Sequence, residues 1–336
     1  MAMRKDELYI GIDTSNYTTS LALCDGEGRV LANLKAPLPV KEGERGLRQS
    51  DAVFAHVKNL PPLSEELTAL MRSLGVGQLG TSVPTEPTGR ARVCGIGYSA
   101  TPRREEGSYM PCFLAGQVAA SSMNVTADVP LCAFSHQEGH VMAALYSAGV
   151  ADALYAREFV AFHVSGGTTD VLYVRPDGER FVIERLGTSL DLHAGQAVDR
   201  VGVAMGLRFP CGRELETLAN GCESKIPKPR ICVKGLDCHL SGLENLALAL
   251  YEKTGDRSLV AAYTLDFIGE TLCALTEEVR ARYPDIPVVY AGGVMSNRRI
   301  QAMLGDRFAN AHFSDPAFSA DNAAGVALLC RRSLQQ

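Results

Sequence analysis

No run of apolar residues in this chain approaches the length of a bilayer crossing, and the opening Met1 to Glu7 passes into a short apolar strand without the apolar stretch and small-residue cleavage site of a leader. The expectation is therefore a soluble, cytoplasmic protein with no membrane partner. Paired C-x-x-C knuckles are also missing. Cys211, Cys222, Cys232 and Cys238 crowd one stretch without zinc-site spacing, and the other cysteines are scattered through apolar segments such as 131–133 and 272–274. That pattern reads as reduced core thiols. There is no excess of positive charge: 33 Lys and Arg against 38 Asp and Glu leave a formal net charge of −5, which argues against a general polyanion binder. Any RNA would have to meet a local patch, such as Arg103-Arg104, Lys225 to Arg230 or Arg298-Arg299, although each could equally be solvated surface. Finally, SHQEGH at 135–140 is not H-E-x-x-H: its glutamate, Glu138, does not follow the first histidine, so a zinc-protease helix has little support.

The 336 residues, 46% hydrophobic and 21% charged, have the composition of a globular protein long enough for two lobes. An apolar strand, a polar turn and a second strand closed by Asp-Gly run from Tyr9 to Gly26. The same pattern recurs from Val160 to Gly178, with Thr18-Thr19 matching Thr168-Thr169 and Asp13 opposite His163. Two like hairpins half a chain apart predict a duplicated domain. Helical spacing follows over 65–74, 110–123, 196–205, 258–282 and 322–334, with strands expected at 92–98, 131–134 and 287–290. The alternation predicts a mixed α/β fold built twice, its lobes covering 1–150 and 151–336.

A Gly-, Ser- and Thr-rich turn between strands exposes N–H groups and hydroxyls to a phosphate. Ser165-Gly166-Gly167-Thr168 has that composition, though taken alone it could be an ordinary hairpin loop. His136 and His140, four apart, would stack on one helix face and could share a divalent metal; an isolated H-x-x-x-H is also common as plain core or surface histidine. Gly292-Gly293 after an apolar strand allows close approach of backbone to a ligand, or simply turns the chain into a helix.

The ordered series IGIDTS, SHQEGH (135–140), HVSGGTTDVLYV (163–174), LGTSLDLHAGQAVDRVGVAMGL (186–207), PCGRELETLA (210–219), LSGL (240–243), YAGGVMSN (290–297) and SADNAAGVA (319–327) resembles the TsaD family of tRNA threonylcarbamoyl transferases over nearly the whole chain. The resemblance implies a two-lobed fold of the actin, Hsp70 and sugar-kinase type, with a ligand cleft between lobes and the C-terminal helix packed back on the first. It implies transfer of a threonylcarbamoyl group from threonylcarbamoyl-AMP to a tRNA adenosine, with ATP or that adenylate bound and a TsaB-like protein or a second copy as partner. One iron or zinc ion would be held by His136, His140 and Asp321. His163, where archaeal and eukaryotic members carry tyrosine, is a further candidate ligand or a satisfied buried histidine. Val164, Ser165, Gly166, Gly167 and Thr168 would meet phosphate and the transferred group, Asp199 the ribose, and Gly212 and Asn297 the nucleoside.

Departures from the family pattern concentrate in two motifs. Asn16, Tyr17 and Thr18 replace Cys-Asp-Glu, and in the middle motif Thr188, Leu192, Gln196 and Arg200 replace glutamate, aspartate, glutamate and lysine. Neutral groups for carboxylates would change the charge at a ligand. Two further readings therefore stand beside the first: a paralogue acting on another acceptor, and a non-catalytic nucleotide-binding subunit.

Overall fold

The structure, a computed structural model, describes residues 5–15, 17–39, 47–76, 91–319 and 323–335. In chain order its elements are β1 (Glu7–Ser15), β2 (Thr18–Asp25), β3 (Val30–Pro37), α1 (Gln49–Ser73), β4 (Arg92–Thr101), α2 (Phe113–Ala127), β5 (Leu131–Ser135), α3 (His136–Ser147), α4 (Ala151–Leu154), β6 (Phe159–Val164), β7 (Thr169–Asp177) and β8 (Arg180–Thr188). There follow α5 (Ala194–Ala204), α6 (Gly212–Asn220), β9 (Cys232–Lys234), β10 (Asp237–His239), α7 (Gly242–Thr254), α8 (Arg257–Arg282), β11 (Val288–Ala291), a 3-10 turn (Gly293–Ser296), α9 (Arg298–Arg307), β12 (Ala311–Phe313), α10 (Pro316–Ser319) and α11 (Ala324–Leu334). Two compact units result, one from the described residues of Met1–Tyr146, Asp177–Val182 and Asp321–Gln336, the other from Ser147–Pro176 and Ile183–Ala320.

Each unit holds a five-stranded sheet, and the two orders, β3-β2-β1-β4-β5 and β8-β7-β6-β11-β12, are the same topology. In each, a hairpin pairs antiparallel, one later strand (β4 or β11) joins the hairpin's first strand in parallel, and a last strand (β5 or β12) joins that one in parallel. Register carries the equivalence to single residues. Asp13 pairs with Ser20 and Thr14 with Thr19 in the first hairpin; His163 pairs with Asp170 and Val164 with Thr169 in the second. Asp13 and His163 thus occupy the same place, as the sequence alignment of the two hairpins predicts.

In the first unit β1 is buried along almost its whole length, as a central strand covered on both faces must be. Ile10, Ile12, Leu21 and Leu23 pack against Leu63 and Leu67 of α1, each such side chain contributing about 1.5–3 kcal/mol. On β1 and β4, glycine admits α11: a Cβ on Gly11 would stand 2.3 Å from the carbonyl oxygen of Ala323, and one on Gly97 would meet Val326 and Cys330 within 3.1 Å. Helix α1 begins sixteen residues before the expected start at 65 and runs through Pro61-Pro62, a pair that disfavours helix interiors. A buried stripe of Ala52, His56, Leu63 and Leu67 runs through the proline pair and overrides it.

The second unit is organised around the 26-residue α8, most of whose residues from Leu259 to Val279 are buried among the sheet and helices. By length and composition this helix is apolar enough to cross a membrane, which corrects the expectation that no segment reaches that length. Its most apolar window is 83% buried within the protein, the environment of a core helix.

Candidate functional site

In the first unit, chemistry gathers at the carboxyl ends of β1 and β5. Ser135 and Glu138 form a capping box: the Glu138 carboxylate accepts from the Ser135 N–H at 2.7 Å, and the Ser135 hydroxyl accepts from the Glu138 N–H at 3.2 Å. Helix α3 therefore starts at His136 and presents His140 one turn later, their rings 4.3 Å apart edge to face. Glu138 is fully buried. Burial alone would raise its carboxyl, but the bidentate Arg180 guanidinium and Ser135 hold it below the usual range. It is a structural anion, not a general base. The Nδ1 of His136 lies 2.9 Å from Oδ1 of buried Asp13. A carboxylate beside Nδ1 favours the tautomer with the proton on that nitrogen, as in metal-ligating histidines.

The donor set of His136 and His140 thus suits a divalent ion in chemistry. Among the described residues no group of three or more His, Cys, Asp or Glu is arranged to hold a metal, and Asp321 lies outside the described residues. His163 stands in the second unit, between Asp170 and Ala291 on neighbouring strands.

In the second unit a pocket of about 540 Å³ opens at the carboxyl ends of β6 and β11, where ligands of open α/β sheets bind. Gly166, Asp199, Gly212 and Asn297 line it, four of the eight residues expected at a nucleotide. Val164 is buried beneath. Ser165 closes the turn by donating its N–H to the Thr168 carbonyl at 2.7 Å, leaving Gly166 and Gly167 exposed. The turn rests on the first residues of α5: Gly195 N–H donates to the Ser165 carbonyl at 3.0 Å, and Ala194 N–H to the Thr169 hydroxyl at 2.9 Å. Burial raises the carboxyl of Asp199, countered in part by the Cys211 N–H that its Oδ1 accepts at 2.7 Å. Asn297 caps α9 through its carbonyl oxygen, accepting from Ile300 N–H at 3.1 Å, so its amide NH2 is the part it can offer a ligand.

The glycines of this pocket fall into two kinds. A Cβ on Gly195 would sit 2.7 Å from backbone atoms of Gly166, and one on Gly292, at φ +104, 2.3 Å from the Val164 carbonyl oxygen. The fold requires these two. Gly166, Gly212 and Gly293 have no atom within 4 Å of the place a Cβ would take, and none has a φ in the left-handed region. Neither packing nor backbone conformation explains glycine there, so each keeps open a patch of backbone facing the pocket.

Two expected contributors do something else. Leu192 is in the hydrophobic core, and Gln196 lies on the helix start, where its side-chain oxygen accepts the His193 N–H at 3.2 Å. These departures from the family pattern are absorbed by packing and capping and do not line the pocket. Asp191, beside them, is held at about 2: burial raises it, but the Ser241 hydroxyl and the N–H groups of Leu240, Leu192 and Ser241 lower it more. It fastens the LSGL turn to α5. Reading the sequence missed Asp13 as the partner of His136, and Phe209, Arg213 and Glu216 as pocket walls. The positions 212, 213 and 216 share one end of a helix, a spacing visible in PCGRELETLA.

A duplicated α/β unit with an open glycine pocket defines a protein of the actin, Hsp70 and sugar-kinase class. Two solved structures share the fold over nearly the full chain. A ROK family glucokinase from Streptomyces griseus, solved with glucose and AMPPNP, has a TM-score of 0.51 at 13% identity, covering 97% of this chain and 99% of that one. Component A of the (R)-2-hydroxyglutaryl-CoA dehydratase of Acidaminococcus fermentans has a TM-score of 0.51 at 13% identity, covering 98% and 99%. Within that class the chain belongs to the TsaD family, tRNA N6-adenosine threonylcarbamoyltransferase, whose family model matches residues 93–328. Proteins of that name from Methanopyrus kandleri and Legionella pneumophila are 30% identical over 323 residues and 29% identical over 332, covering 95% of this chain in each case and 85% and 92% of theirs. The family is one of tRNA-modifying transferases.

Proposed function

We propose that this protein is a cytoplasmic enzyme that binds threonylcarbamoyl-AMP, or ATP, in the pocket of the second unit and passes the threonylcarbamoyl group to a tRNA adenosine. The observation that carries the nucleotide assignment is the set of pocket glycines, Gly166, Gly212 and Gly293, that the fold does not itself require. The turn from Ser165 to Thr168 would receive the phosphate on the backbone of its exposed Gly166 and Gly167, supported by the N-terminus of α5 behind the loop. Asp199 would accept from ribose hydroxyls, and Gly212 and the Asn297 amide would border the nucleoside. His136 and His140 would hold one iron or zinc ion with Asp321, and His163 is a further candidate ligand. When bound, that ion would polarise the carbamoyl or phosphoryl oxygen on which negative charge develops. Asp13 keeps the His136 ring in the orientation such a ligand needs. A TsaB-like protein or a second copy as partner is supported by Phe54 and Val57 on α1 and Leu114 and Val118 on neighbouring α2, all exposed.

One specific observation favours a second reading, transfer to a different acceptor. Thr188, where the family carries glutamate, donates its hydroxyl to Asp170 at 2.7 Å, and buried Leu192 replaces an aspartate, so two ionised groups of the family pattern are gone. The test supplies threonine, bicarbonate, ATP, an adenylate-forming partner and unmodified tRNA, and reads modified adenosine by mass spectrometry. Product that disappears in His140→Ala supports transfer to tRNA. No product, where an authentic family member succeeds in parallel, replaces that reading with the second.

A further inference from the structure

Cys132 lies on β5, the edge strand of the first sheet, in register with Gly97 of β4. Residues paired across neighbouring strands send their side chains to the same face. On that face α11 seats Cys330: a Cβ on Gly97 would stand 2.9 Å from the Cβ of Cys330, and one on Gly95 would stand 3.0 Å from its Sγ. The two thiols are therefore neighbours on that face. Cys132 is half-buried and reachable from solvent, whereas Cys330 is completely buried.

The surroundings polarise the pair. The S–H of Cys330 lowers the Cys132 thiol, burial opposes this, and the Arg180 guanidinium lowers it further. Arg180 is itself fixed by its two contacts with buried Glu138. Cys330 is held up as a thiol, first by its neighbour Cys132 and then by burial. Thiolate character on the accessible sulfur beside a protonated resolving thiol is the arrangement of peroxide-reactive cysteines.

We propose that Cys132 and Cys330 form an oxidisable pair, in which Cys132 takes a small peroxide and Cys330 resolves the product to a disulfide tying β5 to α11. The Cys132 thiolate attacks one peroxide oxygen and the O–O bond breaks. For hydrogen peroxide, hydroxide leaves and is protonated to water, and Cys132 becomes a sulfenic acid. The Cys330 sulfur then attacks the Cys132 sulfur, the S–O bond breaks, and the departing hydroxide leaves with the Cys330 proton as a second water. The two thiols lose two electrons and the peroxide gains them. β5 ends one residue before His136, and α11 begins three residues after Asp321, so the crosslink joins the segments that follow and precede those residues.

The reduced full-length protein is exposed to graded hydrogen peroxide, quenched with an alkylating agent, digested and read by mass spectrometry. A Cys132–Cys330 linked peptide should appear, with Cys132 consumed roughly tenfold faster than the exposed Cys232. Cys330→Ser should accumulate dimedone-reactive sulfenic acid at Cys132, and Cys132→Ser should leave Cys330 reduced. Consumption of Cys132 no faster than Cys232 in the wild-type chain, where no variant can confuse the result, would overturn the proposal. So would oxidation of Cys330 at the wild-type rate in Cys132→Ser.

Discussion

Alanine at Gly166, Gly212 and Gly293, introduced one at a time, separates a ligand's need for glycine from the fold's. At each position the new Cβ would have no protein atom within 4 Å and no left-handed backbone to strain. Removing glycine's freedom from the unfolded chain should leave stability unchanged or raise it by about 0.4–1 kcal/mol. The added methyl, however, projects where backbone faces the pocket. If it displaces one charge-assisted contact between backbone N–H and phosphate, about 1.5–3 kcal/mol is lost, or about 10- to 150-fold in affinity. Gly195→Ala and Gly292→Ala are the counter-case, since their Cβ atoms run into backbone at 2.7 and 2.3 Å. Those two should lose about 1–3 kcal/mol of stability from overpacking. Thermal melts and calorimetry with a non-hydrolysable adenylate read both quantities. If all three open-glycine variants bind within twofold of wild type, the pocket glycines do not serve a nucleotide and the assignment of the site fails.

Two further outcomes follow from individual side chains. Asp191, at about 2 in the folded protein against 3.8 for a free carboxyl, contributes stability that is complete above about pH 4 and lost as pH falls through about 2. Discounted for its partial exposure this amounts to about 1–2 kcal/mol. Asp191→Asn should therefore be less stable by that amount in urea at pH 7, with about half the gap left at pH 3; an equal gap at both would refute the linkage. Asp13→Ala should weaken binding of iron or zinc by about 10- to 100-fold in a chelator competition, with Asp13→Asn, which keeps an acceptor for His136, losing less. Unchanged affinity in the alanine variant would show that Asp13 does not position a ligand.

Local pattern was enough for the two hairpins, because strand alternation and turn residues are properties of short segments, and their likeness exposed the duplication down to the equivalence of Asp13 and His163. The glycine loop at 165–168 was legible for the same reason, since a Gly-Gly turn acts over four residues, whereas the helix opening on His136 was not among the stretches of helical spacing although its Ser135–Glu138 capping box is equally local. Helix α1 was only half legible, since Pro61-Pro62 is a local stop that a buried stripe on both sides overrules. What the amino-acid order determined by itself was therefore the family, the repeated topology and most of the candidate ligands. Tertiary structure alone decided which glycines the fold needs and which it leaves open, that Leu192 belongs to the core, that Asp13 reaches His136 across 123 positions, and that Cys132 meets Cys330. Each depends on the distance between segments remote in sequence, which packing sets and no short stretch of sequence encodes.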